Sequence, residues 1–374
     1  MRKNRAASGL LLLAAVLCLA GCGKEETAQM AADGQNEENL IPEGNMETEN
    51  LENVLLTHEI RKLENGLSAV KYEGDYAFDA FLLAGGASSD REVMDFLTEN
   101  LLSGMNIGFS QESFGCSTIS VKSEDGGFLF GRNFDWNSCD AMVVASYPEN
   151  GYASISTVIM DFVIQGAGGR IMGMELVMEQ VNVLAALYAQ LDGMNEKGLT
   201  VSVNMIQDGD DISQDSDKAD ITTTTAVRLL LDKAANVDEA LALLTQYDMH
   251  ASMGMMVHFA LADNTGRSVA VEYIGNEMIV TDTPVVTNFY LAEGEKHGIG
   301  TKQSHERYEI LMSFLDESGE MDTAGVRDAL DRVSKDNFGE FESTQWSIVF
   351  NQTGGQAVYY HRENYGKGYV FTIE

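Results

Sequence analysis

Gly115-Cys116-Ser117-Thr118-Ile119-Ser120-Val121-Lys122, then Ser123-Glu124-Asp125-Gly126-Gly127, then Phe128-Leu129-Phe130-Gly131-Arg132-Asn133-Phe134-Asp135-Trp136 is the stretch that decides the fold. Two runs rich in β-branched and aromatic residues flank a turn that contains Asp125-Gly126, a strong hairpin signal. Across a short hairpin the start of the first strand faces the end of the second. Arg132, Asn133 and Asp135 are therefore expected within reach of Cys116. An arginine beside a cysteine lowers the thiol pKa and favours the thiolate, and an aspartate can hold an ammonium group. Two blander readings stand beside this one. A lone cysteine at a strand start is more often a small buried hydrophobe, and Arg132 with Asp135 can be an ordinary surface ion pair.

Working outward, folding is expected to begin near Val54. Leu67–Tyr72 and Ala77–Leu83 read as strand or strand–helix material, and a helix follows from Glu92 to Leu102, capped by Ser89 or Asp90. Further strands are expected at Ala153–Val158, Leu199–Val203, Val257–Ala262, Ser268–Tyr273, Glu277–Thr281, Trp346–Asn351, Ala357–His361 and Tyr369–Thr372. Helical patterns run over Glu175–Ala189, Thr223–Leu231 and Val237–Gln246. Hairpins interleaved with amphipathic helices predict two sheets covered by helices.

A thiol catalyst needs a base. The six histidines are His58, His250, His258, His297, His305 and His361, and none sits in a local cysteine-protease signature. A histidine-dependent thiol protease is therefore the weakest reading. A cysteine whose own α-amine is the base dispenses with histidine, because a free α-amine has a pKa of about 8 and is partly neutral at neutral pH. Cys116 is internal, so this chemistry requires cleavage of the Gly115–Cys116 bond. Gly115 removes a side chain where the thiol must attack.

Cys116-Ser117-Thr118, Gly131-Arg132-Asn133-Phe134-Asp135-Trp136 and Met194-Asn195-Glu196-Lys197-Gly198-Leu199 together resemble the choloylglycine hydrolase (linear amide C–N hydrolase) superfamily of N-terminal-nucleophile enzymes. Val203-Asn204, Arg228-Leu-Leu-Leu-Asp232, Asn236–Leu241, Val286-Thr287-Asn288 and Ser304-His305-Glu306-Arg307 continue it in order. The resemblance implies the α+β class with a four-layer αββα sandwich. It implies Cys116 as the nucleophile with its α-amine as proton shuttle. Arg132 would stabilise the thiolate and Asp135 would position the amine. Asn204 and Asn288 would supply the oxyanion hole, and Arg307 would be the second active-site arginine. The long region before Cys116 is similar to acid-ceramidase-type members, in which cleavage leaves two associated chains. Asn288 is followed by Phe289-Tyr290 and not by the usual Ser-Pro, so the resemblance does not imply bile salts as the substrate. Ile159–Ile164 and Met253–Met256 are read as core packing or as walls of an acyl pocket.

The domain reading runs 1–22, a lipoprotein signal peptide; 23–53, an acidic flexible tether; 54–115, a pro-region or small subunit; and 116–374, the hydrolase domain. Arg2, Lys3 and Arg5 precede an apolar run from Leu10 to Leu19, too short to span a bilayer. Leu19-Ala20-Gly21-Cys22 then resembles a bacterial lipobox, with Cys22 as the lipidated residue. Such an anchor supplies at least two acyl chains, enough for stable attachment. The expectation is an extracytoplasmic protein held at the membrane through Cys22. A net charge of −34 argues against nucleic-acid partners. The four cysteines give no disulfide framework, although the sequence leaves a Cys116–Cys139 bridge open. No metal-ligand cluster and no cofactor motif is read. The substrate expected is a small N-acyl amide, hydrolysed or used for acyl transfer. A non-enzymatic solute-binding lipoprotein is the competing function.

Overall fold

The computed structural model describes residues 49–101, 115–164, 175–336 and 342–374. The leader, Cys22 and the acidic stretch up to residue 48 lie outside the described residues.

The strands form two large sheets. In the first the order is Asn50–Asn53, Lys367–Thr372, Gln356–His361, Ser343–Asn351, Phe128–Trp136, Gly115–Ser123 and Val285–Val286, and the short Glu320–Met321 also pairs with Gly115–Ser123. In the second the order is Glu277–Asp282, Ser268–Ile274, Val257–Ala262, Thr200–Met205, Asp192–Asn195, Ser154–Ile159, Ala141–Tyr147, Leu67–Glu73 and Arg61–Glu64.

Side-chain alternation along each strand sorts the residues into layers. In the first sheet Cys116, Phe130, Phe134, Ile348, Phe350 and Tyr359 point into the large core shared with Val201, Val203 and Leu261 of the second sheet. Ile119, Val121, Leu129 and Val349 point the other way, onto Leu311, Val326, Ala329 and Leu330. Those four belong to the helices Lys302–Ser318 and Thr323–Arg332. Gly131 lies on that outer face, and a Cβ there would sit 2.6 Å from Val326 Cγ1, so glycine lets the helix approach. The helix Thr223–Lys233 covers the outer face of the second sheet. Helix, sheet, sheet, helix is the expected α+β αββα sandwich.

Several boundaries differ from the sequence reading. Asn50–Asn53, read as the end of the tether, is an edge strand paired in parallel with Lys367–Val370. The free edge of Lys367–Thr372 offers backbone partners, and these outweigh the polar composition of the segment. Residues 54–115, read as a pro-region or small subunit, contribute Arg61–Glu64 and Leu67–Glu73 to the second sheet. Leu67–Glu73 pairs in parallel with Ala141–Tyr147. Ala77–Leu83 resolves as a helix over Phe78–Leu83. The helix Asp90–Asn100 is capped by Ser89, whose Oγ accepts from Glu92 N at 3.4 Å. The pattern expected over Glu175–Ala189 is helical to Ala186.

Candidate active site

The hairpin register is Gly115↔Asp135, Cys116↔Phe134, Ser117↔Asn133 and Thr118↔Arg132. Cys116 and Arg132 are therefore diagonal neighbours on the inner face. Gly115, Ser117, Asn133 and Asp135 lie on the outer face. Arg132 Nη2 donates to Cys116 Sγ at 3.4 Å and to the Val203 carbonyl at 2.9 Å. The thiol itself lies 3.6 Å from the Val203 carbonyl. Arg132 Nη1 pairs with Asp192 Oδ2 at 2.9 Å and also donates to the Leu191 carbonyl. Arg132 and Asp192 have no solvent exposure, so each charge needs the other. Phe134 stacks on Trp346 at 4.1 Å between centroids and walls the same space.

Around the Cys116 backbone the partners come from the outer helix and the Asn288 loop. Asn288 Oδ1 accepts from Cys116 N at 2.8 Å and from Arg307 Nη2 at 2.7 Å. Arg307 Nη1 donates to the Cys116 carbonyl at 2.7 Å and faces Asp135 Oδ2 at 3.4 Å. Asp135 also accepts from Thr344 Oγ1 at 2.7 Å and lies 3.6 Å from Lys335 Nζ. A Cβ on residue 115 would fall 2.8 Å from Lys335 Nζ and 3.0 Å from Asp135 Oδ2, so this corner is shaped around a glycine. The site straddles one strand end, with sulfur inside the sandwich and nitrogen and carbonyl toward the helix Lys302–Ser318.

The structure thus gathers Cys116, Arg132, Asp135, Asn288 and Arg307, and it brings Val203, the neighbour of Asn204, against the thiol. Three expectations change in detail. Asn288 was expected to donate to an oxyanion; its Nδ2 is committed to the Met205 carbonyl at 2.7 Å, and its Oδ1 takes the Cys116 nitrogen. Asp135 was expected beside that nitrogen; it contacts Arg307, Thr344 and Lys335 instead, because the register sends it to the outer face. Asn133 was expected within reach of Cys116; on the same outer face it binds the Leu330 carbonyl and Ser347. Asn204 keeps a free donor. Its Oδ1 accepts from Ser202 Oγ at 2.8 Å, while the buried Nδ2 has no partner.

The expected lowering of the thiol pKa does not hold in the continuous chain. Burial pushes the Cys116 thiol above its ordinary value, and the charge and hydrogen bond of Arg132 pull it down without overcoming burial. Among the described residues, the hydrogen-bond partners of the Cys116 thiol are Arg132 and the Val203 carbonyl, with no histidine among them. Cys116 and Cys139 are both free and buried. Ile159, Met160, Phe162 and Val163, with Met255 and Met256, pack in the main core, the plainer of their two readings.

Asp192, Thr344 and Lys335 were not foreseen. Each lies far along the chain from its partner, and only the fold brings them together. A buried arginine demands a carboxylate, but no local pattern selects Asp192.

Residues 116–289 match the family model of linear amide C–N hydrolases, choloylglycine hydrolase family. Among solved structures, a mutant conjugated bile acid hydrolase from Clostridium perfringens aligns with a TM-score of 0.51 at 17% identity, covering 69% of this chain and 92% of its own. Penicillin V acylase from Agrobacterium tumefaciens aligns with a TM-score of 0.47 at 17% identity, covering 66% of this chain and 83% of its own. No curated protein matches the sequence. Residues 116–289, the stretch that carries Cys116, Arg132, Asn204 and Asn288, are thus similar to the choloylglycine hydrolase family of linear amide C–N hydrolases.

Proposed function

We propose that the chain is a lipid-anchored, extracytoplasmic amidase that hydrolyses an N-acyl amide with Cys116 as nucleophile, after cleavage between Gly115 and Cys116. The observation that carries this is the pairing of roles at one residue. Arg132 lies on the Cys116 sulfur at 3.4 Å, and Asn288 Oδ1 lies on its nitrogen at 2.8 Å. The Arg2-to-Cys22 leader and lipobox support lipidation at Cys22, and the acidic residues that follow serve as the tether. The substrate class is an N-acyl amino acid, fatty amide, conjugated bile acid or acylated β-lactam.

Cleavage begins when the Cys116 sulfur attacks the Gly115 carbonyl carbon. The peptide C–N bond breaks, a thioester forms, and the thiol proton ends on the Cys116 nitrogen. Water then hydrolyses the thioester, leaving a carboxylate on Gly115 and a free amine on Cys116. That amine, with a pKa of about 8, takes the thiol proton in each turnover. The sulfur attacks the substrate carbonyl, the ammonium protonates the leaving amine, and water releases the acyl group. Asn204 Nδ2 donates to the oxyanion. Arg132 balances charge on sulfur. Asn288 and Arg307 hold the nitrogen and carbonyl of Cys116, and Asp135 orients Arg307.

Intact mass and N-terminal sequencing of the purified chain, wild type beside Cys116→Ala, test this. Fragments ending at Gly115 and beginning at Cys116, absent in the variant together with amidase activity, are expected. An alanine variant with full activity sinks the proposal.

A further inference from the structure

His258 and Glu272 are ionisable side chains with no solvent exposure. His258 stands on the strand Val257–Ala262, directly opposite Asn204. Glu272 stands on the neighbouring strand Ser268–Ile274. His258 Nδ1 lies 3.0 Å from Glu272 Oε1, and Nε2 lies 2.8 Å from the Thr287 carbonyl. Both neighbours are acceptors. With Glu272 held as a carboxylate by the two amides it accepts from, a neutral imidazole with its one N–H would leave one of these contacts without a proton, and the imidazolium satisfies both. Glu272 accepts in turn from Leu291 N at 2.9 Å and from Ala292 N at 2.6 Å.

The pair therefore grips one segment twice, at Thr287 and at Leu291–Ala292. Asn288 lies between the two grips. Its Oδ1 receives the Cys116 nitrogen and Arg307. A buried ion pair adds little to stability over well-packed apolar residues, so its presence asks for a role in geometry.

We infer that His258 and Glu272 are positioning residues for the nucleophile, an imidazolium–carboxylate clamp on residues 287–292 that fixes Asn288 Oδ1 against the Cys116 nitrogen. This rests on the reading that Cys116 attacks and that its nitrogen carries the proton. Neither residue touches the thiol; both act through Asn288. Displacing Asn288 shifts the proton carrier relative to sulfur. Misplacement on the ångström scale costs rate far more than affinity.

The test uses the full chain labelled with 15N-histidine, as wild type, Glu272→Gln and His258→Gln. Ring protonation is read by NMR at neutral pH. Turnover is read on a panel of N-acyl amino acids and chromogenic N-acyl anilides, and thermal melts establish that each variant is folded. A wild-type resonance with both ring nitrogens protonated is expected, absent in His258→Gln. In Glu272→Gln, kcat falls about tenfold to a hundredfold with KM within about twofold. If Glu272→Gln does not fold, His258→Gln, which removes the imidazolium between Glu272 and the Thr287 carbonyl, carries the kinetic comparison with the same fall in kcat expected. A singly protonated His258 in the wild type, or a folded variant with unchanged kcat, overturns the clamp. A wild type inert toward every amide defeats the amidase reading instead, and the clamp then stands or falls on ring protonation alone.

Discussion

Asn204 Nδ2 is a buried donor without an acceptor, and leaving such a group unsatisfied costs about 1–3 kcal/mol. The cost is explained if the acceptor arrives with the substrate as a developing oxyanion. Asn204→Ala is then expected to lower kcat by about a hundredfold to a thousandfold while the chain still melts cooperatively, with only the buried Ser202 hydrogen bond lost. Steady-state kinetics beside a melt checks both, and a kcat within twofold of wild type removes Asn204 from the oxyanion hole. At this scale the sequence was informative where contacts are local. Cys116 and Arg132 meet because a hairpin and its two-residue period place them diagonally on one face. It was silent where contacts are distant. Arg132 and Asp192 are 60 residues apart, and Asp135 and Thr344 are 209 apart. The sign of the thiol shift was also hidden, because burial outweighs Arg132 and burial is a property of the folded chain.

The helix Thr223–Lys233 carries Arg228 and Asp232 one turn apart, paired at 2.5 Å and sealed from water. Tyr76 donates to the Asp232 carboxylate at 2.6 Å, and Ser146 and Ser154 accept from Arg228. Asp232→Ala strands a buried guanidinium, for an expected loss of about 3–5 kcal/mol in urea unfolding. Glu272 gives a pH signature. Burial pushes its carboxyl up, but His258 and the amides of Leu291 and Ala292 more than compensate, so it lies below its ordinary value. A depressed carboxyl contributes stability that is complete above the unfolded-state value of about 4.3 and is lost as pH falls through the lower folded value. The melting temperature of wild type is therefore expected to fall more steeply than that of Glu272→Gln over that acid window; parallel profiles contradict this. Elements with one wet face were legible from alternation or helical period. Ala141–Tyr147, flanked by strands on both sides with six of its seven residues buried, was missed, although the equally buried Ser154–Ile159 and Val257–Ala262 were read from their short apolar, β-branched runs.

At the scale of the molecule, described residues before Cys116 are woven into both sheets, Asn50–Asn53 into one and Arg61–Glu64 with Leu67–Glu73 into the other. Cutting the Gly115–Cys116 bond removes a covalent link and leaves these ladders, the Tyr76–Asp232 contact and the bond from Tyr188 Oη to the Tyr76 carbonyl intact. The two fragments are expected to co-elute as one particle on size exclusion and to part only in denaturant. Separate elution under native conditions contradicts the arrangement. The first described strand lies beside the last described one, and the chain order of the residues around Cys116 orders events in time. While the chain is being synthesised, Cys116 emerges before Leu191, Val203, Asn288, Arg307 and Thr344, the residues that later surround it and its neighbours. The thiol therefore lacks its machinery until the chain has been made past Thr344. Under the proposed cleavage by Cys116 itself, a half-made chain cannot cut itself, and the position of one cysteine relative to its partners acts as a clock.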